Sequence, residues 1–192
     1  MGTAAAPALS NPTPTPACRL VVRQHSGLAE ISEFITSGLE IGQQVVAMAG
    51  PPFLKDLALA LSETGLRTET LIRNGRLVFL TAPDCLAQLG LANDRARRAS
   101  LRLSGCVLRW VSDWSWAYGN GHEPGALLGF QRRLHDFVRT LTPLSLCTVH
   151  GQKLTRSSLL AMVADHRRAS RVPAPRVLPS NLAPKAGPSP LL

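Results

Sequence analysis

The chain has 192 residues, 45% of them hydrophobic, which supplies one packed domain and exceeds what a disordered chain carries. Its formal charge of +9 is unevenly spread: Arg167, Arg168, Arg171, Arg176 and Lys185 crowd the last stretch without an acid, and residues 1–17 carry no charge. Residues 18–166 keep a net charge of only +4, so the basic balance reads as a solvated tail, and no direct DNA binding is expected.

Residues 1–17 are Ala/Pro/Thr-rich and have no basic region ahead of an apolar run, unlike a secretory signal. No apolar stretch is long enough to span a bilayer, so a soluble, cytoplasmic protein without a membrane partner is expected. Prolines 7, 12, 14 and 16 mark residues 1–17 as a tail. Prolines 173, 175, 179, 184, 188 and 190 mark residues 170–192 as a second, basic one. The folded part is expected over 18–169. Cys18, Cys85, Cys106 and Cys147 show no metal-pair spacing, and neither do His122, His135 and His166, so buried reduced thiols are expected and no metal or cofactor.

A β-branched run predicts a strand at 19–23, and Ile31, Phe34, Ile35 and Leu39 predict one apolar helix face over 28–41, closed by Gly42. Residues 44–49 read as a buried strand, and Pro51 and Pro52 open a helix to 62. A turn-rich connection spans 65–75 and a third strand 77–81. An Arg-rich helix is predicted over 92–103, a fourth strand over 106–111, a helix over 124–140, a fifth strand over 144–149 and a last helix over 157–166.

Alternating strands and helices predict an α/β three-layer sandwich with a mostly parallel five-stranded sheet. Ligands of such sheets bind at the carboxyl ends of the strands, which singles out the loops at 24–28, 50–53, 82–85, 112–124 and 150–155. The first of these holds one glycine and no Gly-Lys-Ser/Thr ending, so a P-loop ATPase is not expected.

All three tryptophans, Trp110, Trp114 and Trp116, and the single tyrosine, Tyr118, fall in ten residues around the fourth strand end. Two readings of that concentration stay open. Trp114 and Trp116 either cap the core or wall a pocket with Arg109 and Asp113 as polar anchors. His25 and His150 also follow strands and complete the set of candidate binding residues. A His/Asp/Ser arrangement can be drawn from them, but no Gly-x-Ser-x-Gly elbow supports hydrolysis, and no catalytic residue is assigned.

The segment from Phe34 through Gly38-Leu39 and Gly42-Gln43, the Asn74-Gly75-Arg76-Leu77 turn, the Arg109 to Ala117 stretch, Leu146-Cys147 and Leu159-Leu160 through His166 resemble, in order, the motifs of the MEDS domain, the methanogen/methylotroph DcmR sensory domain. Asp113, Trp114 and His150 stand where that family has Glu, Met and Asp. The resemblance implies a RecA/KaiC-like sheet without a P-loop and a non-enzymatic sensory role in bacterial signalling or transcriptional control. A small, partly apolar ligand and a signalling partner (a kinase, an anti-sigma factor or a transcription regulator) would follow. Two alternatives remain: a protein–protein regulator with no small ligand, and a residual hydrolase or nucleotide-binding enzyme.

Overall fold

A computed structural model of the chain describes residues 17–24, 27–90, 97–99, 101–103, 107–118, 124–142 and 144–171. The strands are β1 (Ala17–Arg23), β2 (Gln44–Ala49), β3 (Leu77–Thr81), β4 (Leu108–Asp113) and β5 (Leu144–His150). The helices are α1 (Ala29–Glu40), α2 (Pro51–Glu63), α3 (Thr68–Arg73), α4 (Ala82–Leu89), α5 (Pro124–Leu141) and α6 (Arg156–Arg171), with a 3₁₀ turn at Gly151–Lys153. The strands form one sheet in the order β1-β5-β4-β2-β3, parallel at every pairing.

Apolar spacing explains the layers. Ile31, Ile35 and Leu39 of α1 and Leu54, Leu57 and Leu61 of α2 are buried against Val45, Ala47, Val111 and Leu146 on one face of the sheet. Leu127, Phe130, Leu134, Phe137 and Val138 of α5 and Met162 of α6 pack on the other face, over Val46, Trp110, Cys147 and Val149. All six residues of β2 are buried, as a strand covered on both faces requires. Among the described residues no helix is long and apolar enough to cross a membrane.

Chain direction follows the same logic. β1→β2 and β2→β3 step one way across the sheet with α1 and α2 on one face. β3→β4 and β4→β5 step back with α4 and α5 on the other face. Crossovers of a single hand require that exchange of faces. The strand pairs β2/β4 and β1/β5 therefore send their following helices to opposite faces, and a crevice is expected at the carboxyl end of each pair.

Three expectations are corrected. The connection at 65–75 contains helix α3, whose Leu71 packs partly on the α1/α2 core. The loop at 82–85 is the first turn of α4, with Cys85 buried. The fourth strand begins at Leu108 and runs to Asp113, so it ends on the carboxylate and not before it. Of the helix expected over 92–103, residues 97–99 are helical; 92–96, 100, Cys106, His122 and both expected tails beyond 17 and 171 lie outside the described residues.

Candidate functional site

Alternation along β4 divides its side chains between the two faces, with Arg109, Val111 and Asp113 on the α1/α2 side and Trp110, Ser112 and Trp114 on the other. Arg109 and Asp113 share a face but lie four residues apart on an extended strand, roughly 13 Å. They do not converge. Arg109 donates to the Phe34 carbonyl (2.6 Å), to Ser37 Oγ (2.7 Å) and to Gln43 Oε1 (2.5 Å), and its guanidinium lies 4.9 Å from the Phe34 ring centre. Burial lowers its pKa. It is the clamp between α1 and β4.

Asp113 sits at the other end of β4 in a closed network. Its Oδ1 accepts from Arg23 Nη2 (2.7 Å), Ser115 Oγ (2.9 Å) and Thr148 Oγ1 (2.9 Å), and its Oδ2 accepts from the Ser115 amide (3.1 Å). The His150 amide donates to Ser115 Oγ at 2.8 Å, which brings the end of β5 into the same network. Arg23 also stacks over Phe53 of α2, 4.7 Å from the ring centre. Asp113 and His150 are thus brought together through Ser115. His25 lies outside the described residues.

The tryptophans fill the β2/β4 crevice. Trp114 is fully buried, stacked on Trp116 (6.3 Å between centroids) and edge-on to Phe130 (5.6 Å). Trp116 is half-buried, and its Cβ lies 3.0 Å from where a Cβ on Gly50 would stand, at the end of β2. The glycine at the N-cap of α2 leaves room for this close approach. Trp114 has the burial of a core residue, while Trp116 stays partly exposed.

The β1/β5 crevice is open. A cleft of about 470 Å³ lies there, lined by Val22, Arg23, Gln152, Leu154, Arg156 and Leu159 among others. Its walls combine aliphatic side chains with Arg23 and Arg156, and carry no acid among the described residues. Sequence reasoning pointed to the 150–155 loop but not to the first turns of α6 or to Val22, whose exposure on a β-branched edge strand was the available signal.

A second constellation lies deeper on the same side of the sheet. The ligand-type atoms of Cys18 on β1, His135 on α5, Cys147 on β5 and His166 on α6 all lie within 4.8 Å of one another. Cys18 and Cys147 are 3.3 Å apart at sulfur, and His135 Nε2 is 3.2 Å from Cys147 Sγ. The hydrogen bond with Cys147, and then those with the two imidazoles, hold the Cys18 thiol far below the ordinary range against the effect of burial. Cys147 is pushed the other way by its hydrogen bond with Cys18 and by burial. Burial draws His166 down, but its hydrogen bond with Cys18 and the charge there outweigh it, and the net shift is upward. No spacing along the chain reveals this group, because each member comes from a different element and the two cysteines are 129 residues apart.

An all-parallel sheet with helices on both faces and an open crevice at its strand ends defines an α/β module of the doubly wound class. The family model described as MEDS, the MEthanogen/methylotroph, DcmR Sensory domain, matches residues 17–167, and the chain belongs to that family. It is thus a member of a sensory family, with a sensory or regulatory role in signalling. No curated protein matches it.

Proposed function

We propose that this domain senses a small aliphatic molecule carrying an anionic group, taken up in the β1/β5 cleft, and passes the signal to a partner protein such as a kinase, an anti-sigma factor or a transcription regulator. The reading is non-enzymatic. The observation that carries it is the cleft itself: of the two crevices opened by the strand order, the β2/β4 one is filled by Trp114 and Trp116. The β1/β5 one has room, apolar walls and a basic rim. Val22, Leu154 and Leu159 suit a hydrocarbon chain, and Arg156 suits a carboxylate or similar head. Asp113 and His150 support this cleft through Arg23 and Ser115, and Trp116 borders their network; they serve as its frame, not its contact surface.

The test is a thermal-shift and calorimetric screen with short- and medium-chain aliphatic carboxylates, each paired with the neutral alcohol of equal length. Saturable stabilisation by the acids, weakened by Arg156→Ala and by Leu159→Ala but not by Arg109→Ala, is expected. Specific capture of a signalling protein, with no member of the screen binding, would replace this reading with that of a protein–protein regulator.

A further inference from the structure

We propose that Cys18, His135, Cys147 and His166 form a closed tetrahedral site for one zinc ion, pinning the edge strand β1 and the last helix α6 to the centre of the domain.

The donor set is the first argument. Two thiols and two imidazoles converging on one point are the ligands that Zn²⁺ selects over hard cations, which take oxygen. Zinc bonds of roughly 2.3 Å to sulfur and 2.0–2.1 Å to nitrogen imply tetrahedral edges of about 3.8 Å between sulfurs and about 3.5 Å between sulfur and nitrogen. The observed separations of 3.3 Å and 3.2 Å need a few tenths of an ångström of expansion, and the wider pairs, all within 4.8 Å, need to close by up to roughly an ångström to take the ion.

The outer contacts of the imidazoles are the second. His166 Nδ1 is 2.8 Å from the Met162 carbonyl, which can only accept, so Nδ1 carries the proton and Nε2 is the nitrogen left for a ligand bond. His135 turns Nε2 to Cys147 and Nδ1 toward Asp165 Oδ2, 3.9 Å away, while Arg132 holds that carboxylate at 2.8 Å. The carbonyl bonded behind His166 is a partner of the kind that orients zinc-binding imidazoles, and the carboxylate behind His135, at 3.9 Å, lies one small shift from the same role. Ordinary burial of two cysteines and two histidines has no need for this common orientation.

Charge and burial agree. His135, Cys147 and His166 are buried and Cys18 half-buried. Both cysteines bind zinc as thiolates, and their two charges cancel that of the ion, so the loaded site is neutral in an apolar setting. All four positions come from protein, which leaves none for a substrate: the site is structural or regulatory, not catalytic. It lies on the two elements that wall the β1/β5 cleft. Cys18 is four residues from Val22, about 13 Å along a strand, and His166 is seven from Leu159, about 10 Å along a helix. Losing the ion removes one tie from each wall.

The test uses the full chain, kept under reductant, with metal content by mass spectrometry and Co²⁺ as an optical probe. One zinc per chain is expected, together with a thiolate-to-cobalt charge-transfer band and intense tetrahedral d–d bands that zinc abolishes. Cys147→Ser and His166→Ala should remove the bound metal, and Cys85→Ser should not. Should those two variants fail to fold, Cys18→Ser, on an edge strand, should keep its circular dichroism and likewise lose the bound metal. X-ray absorption at the zinc edge should show two sulfurs and two nitrogens. A folded, reduced chain that binds neither zinc nor cobalt overturns the proposal. So does cobalt bound without sulfur, or a chain whose only chemistry here is a Cys18–Cys147 disulfide.

Discussion

The Arg23 guanidinium, at the end of β1, reaches across β5 to the Asp113 carboxylate at the end of β4, at 2.7 Å, and their side chains are 7% and 2% exposed. Three parallel strands are thereby tied at their carboxyl ends, since Thr148 of β5 donates to the same oxygen. A buried pair of this kind is worth little against an apolar replacement, but either half alone is a desolvated charge.

Asp113→Ala should therefore cost about 3–5 kcal/mol, because it strands Arg23 beneath Phe53. Arg23→Met combined with Asp113→Leu should cost clearly less than the sum of the single changes. Urea unfolding of the four chains measures the coupling. Additive single costs would mean that the two groups do not act as a pair.

That relationship shows what could and could not be read from residues alone. Strands β2 and β3 are legible to the residue, because Val-Val-Ala-Met-Ala and Leu-Val-Phe-Leu-Thr are short apolar runs bounded by glycine or proline. Helices α1, α2 and α5 follow from apolar stripes and their initiating or closing Pro and Gly. Helix α3 was hidden because Thr-Glu-Thr-Leu-Ile-Arg is too short to show a period. The alternation of β4 correctly put Arg109 and Asp113 on one face, but periodicity carries no information about distance along the strand or about the partner across it. Arg23 and Cys18 belong to a strand whose neighbour, β5, comes last in the chain, so neither the ion pair nor the Cys/His cluster leaves a local signal.

Gly38 illustrates a position where a local rule and a tertiary contact oppose each other. An alanine in the last turn of α1 should gain up to about 1 kcal/mol of helix propensity. Yet a Cβ there would stand 2.6 Å from Arg109 Cδ and 2.8 Å from its Nε, and that side chain is held by Phe34, Ser37 and Gln43. Gly38→Ala should be destabilising in the natural background and stabilising once Arg109→Ala removes the obstruction. The same sign in both backgrounds, by thermal unfolding, would show that Arg109 moves aside freely.

Cys85 is the thiol whose titration should be visible in stability. Burial, and then the charge of Asp84, push its pKa from the ordinary value of 9.0 up to about 12. The folded thiol keeps its proton to higher pH than the unfolded one. Its contribution is complete below pH 9 and is lost as pH rises toward 12. Replacing it, as in Cys85→Ala, should flatten the alkaline fall in unfolding free energy across that window. In the native state at neutral pH it should resist thiol reagents and react only on unfolding. Rapid native labelling at Cys85, mapped by peptide mass spectrometry, contradicts the burial that underlies both outcomes.

Trp114 and Trp116 separate core from crevice within one stacked pair. Trp114 is fully buried between Trp116 and Phe130, so Trp114→Ala should cost about 3–5 kcal/mol, as truncation of a buried aromatic does. Trp116 is half-buried over Gly50, and its truncation should cost less. Trp116→Ala should also unplug the β2/β4 crevice, since the indole is what fills the space above the end of β2. A hydrophobic dye or small aromatic probe that the natural chain ignores should then bind, while the cleft at β1/β5 keeps its own ligand response. Equal stability losses in the two variants, with no new probe site in Trp116→Ala, would mean that both rings are core and that no latent crevice lies beneath them.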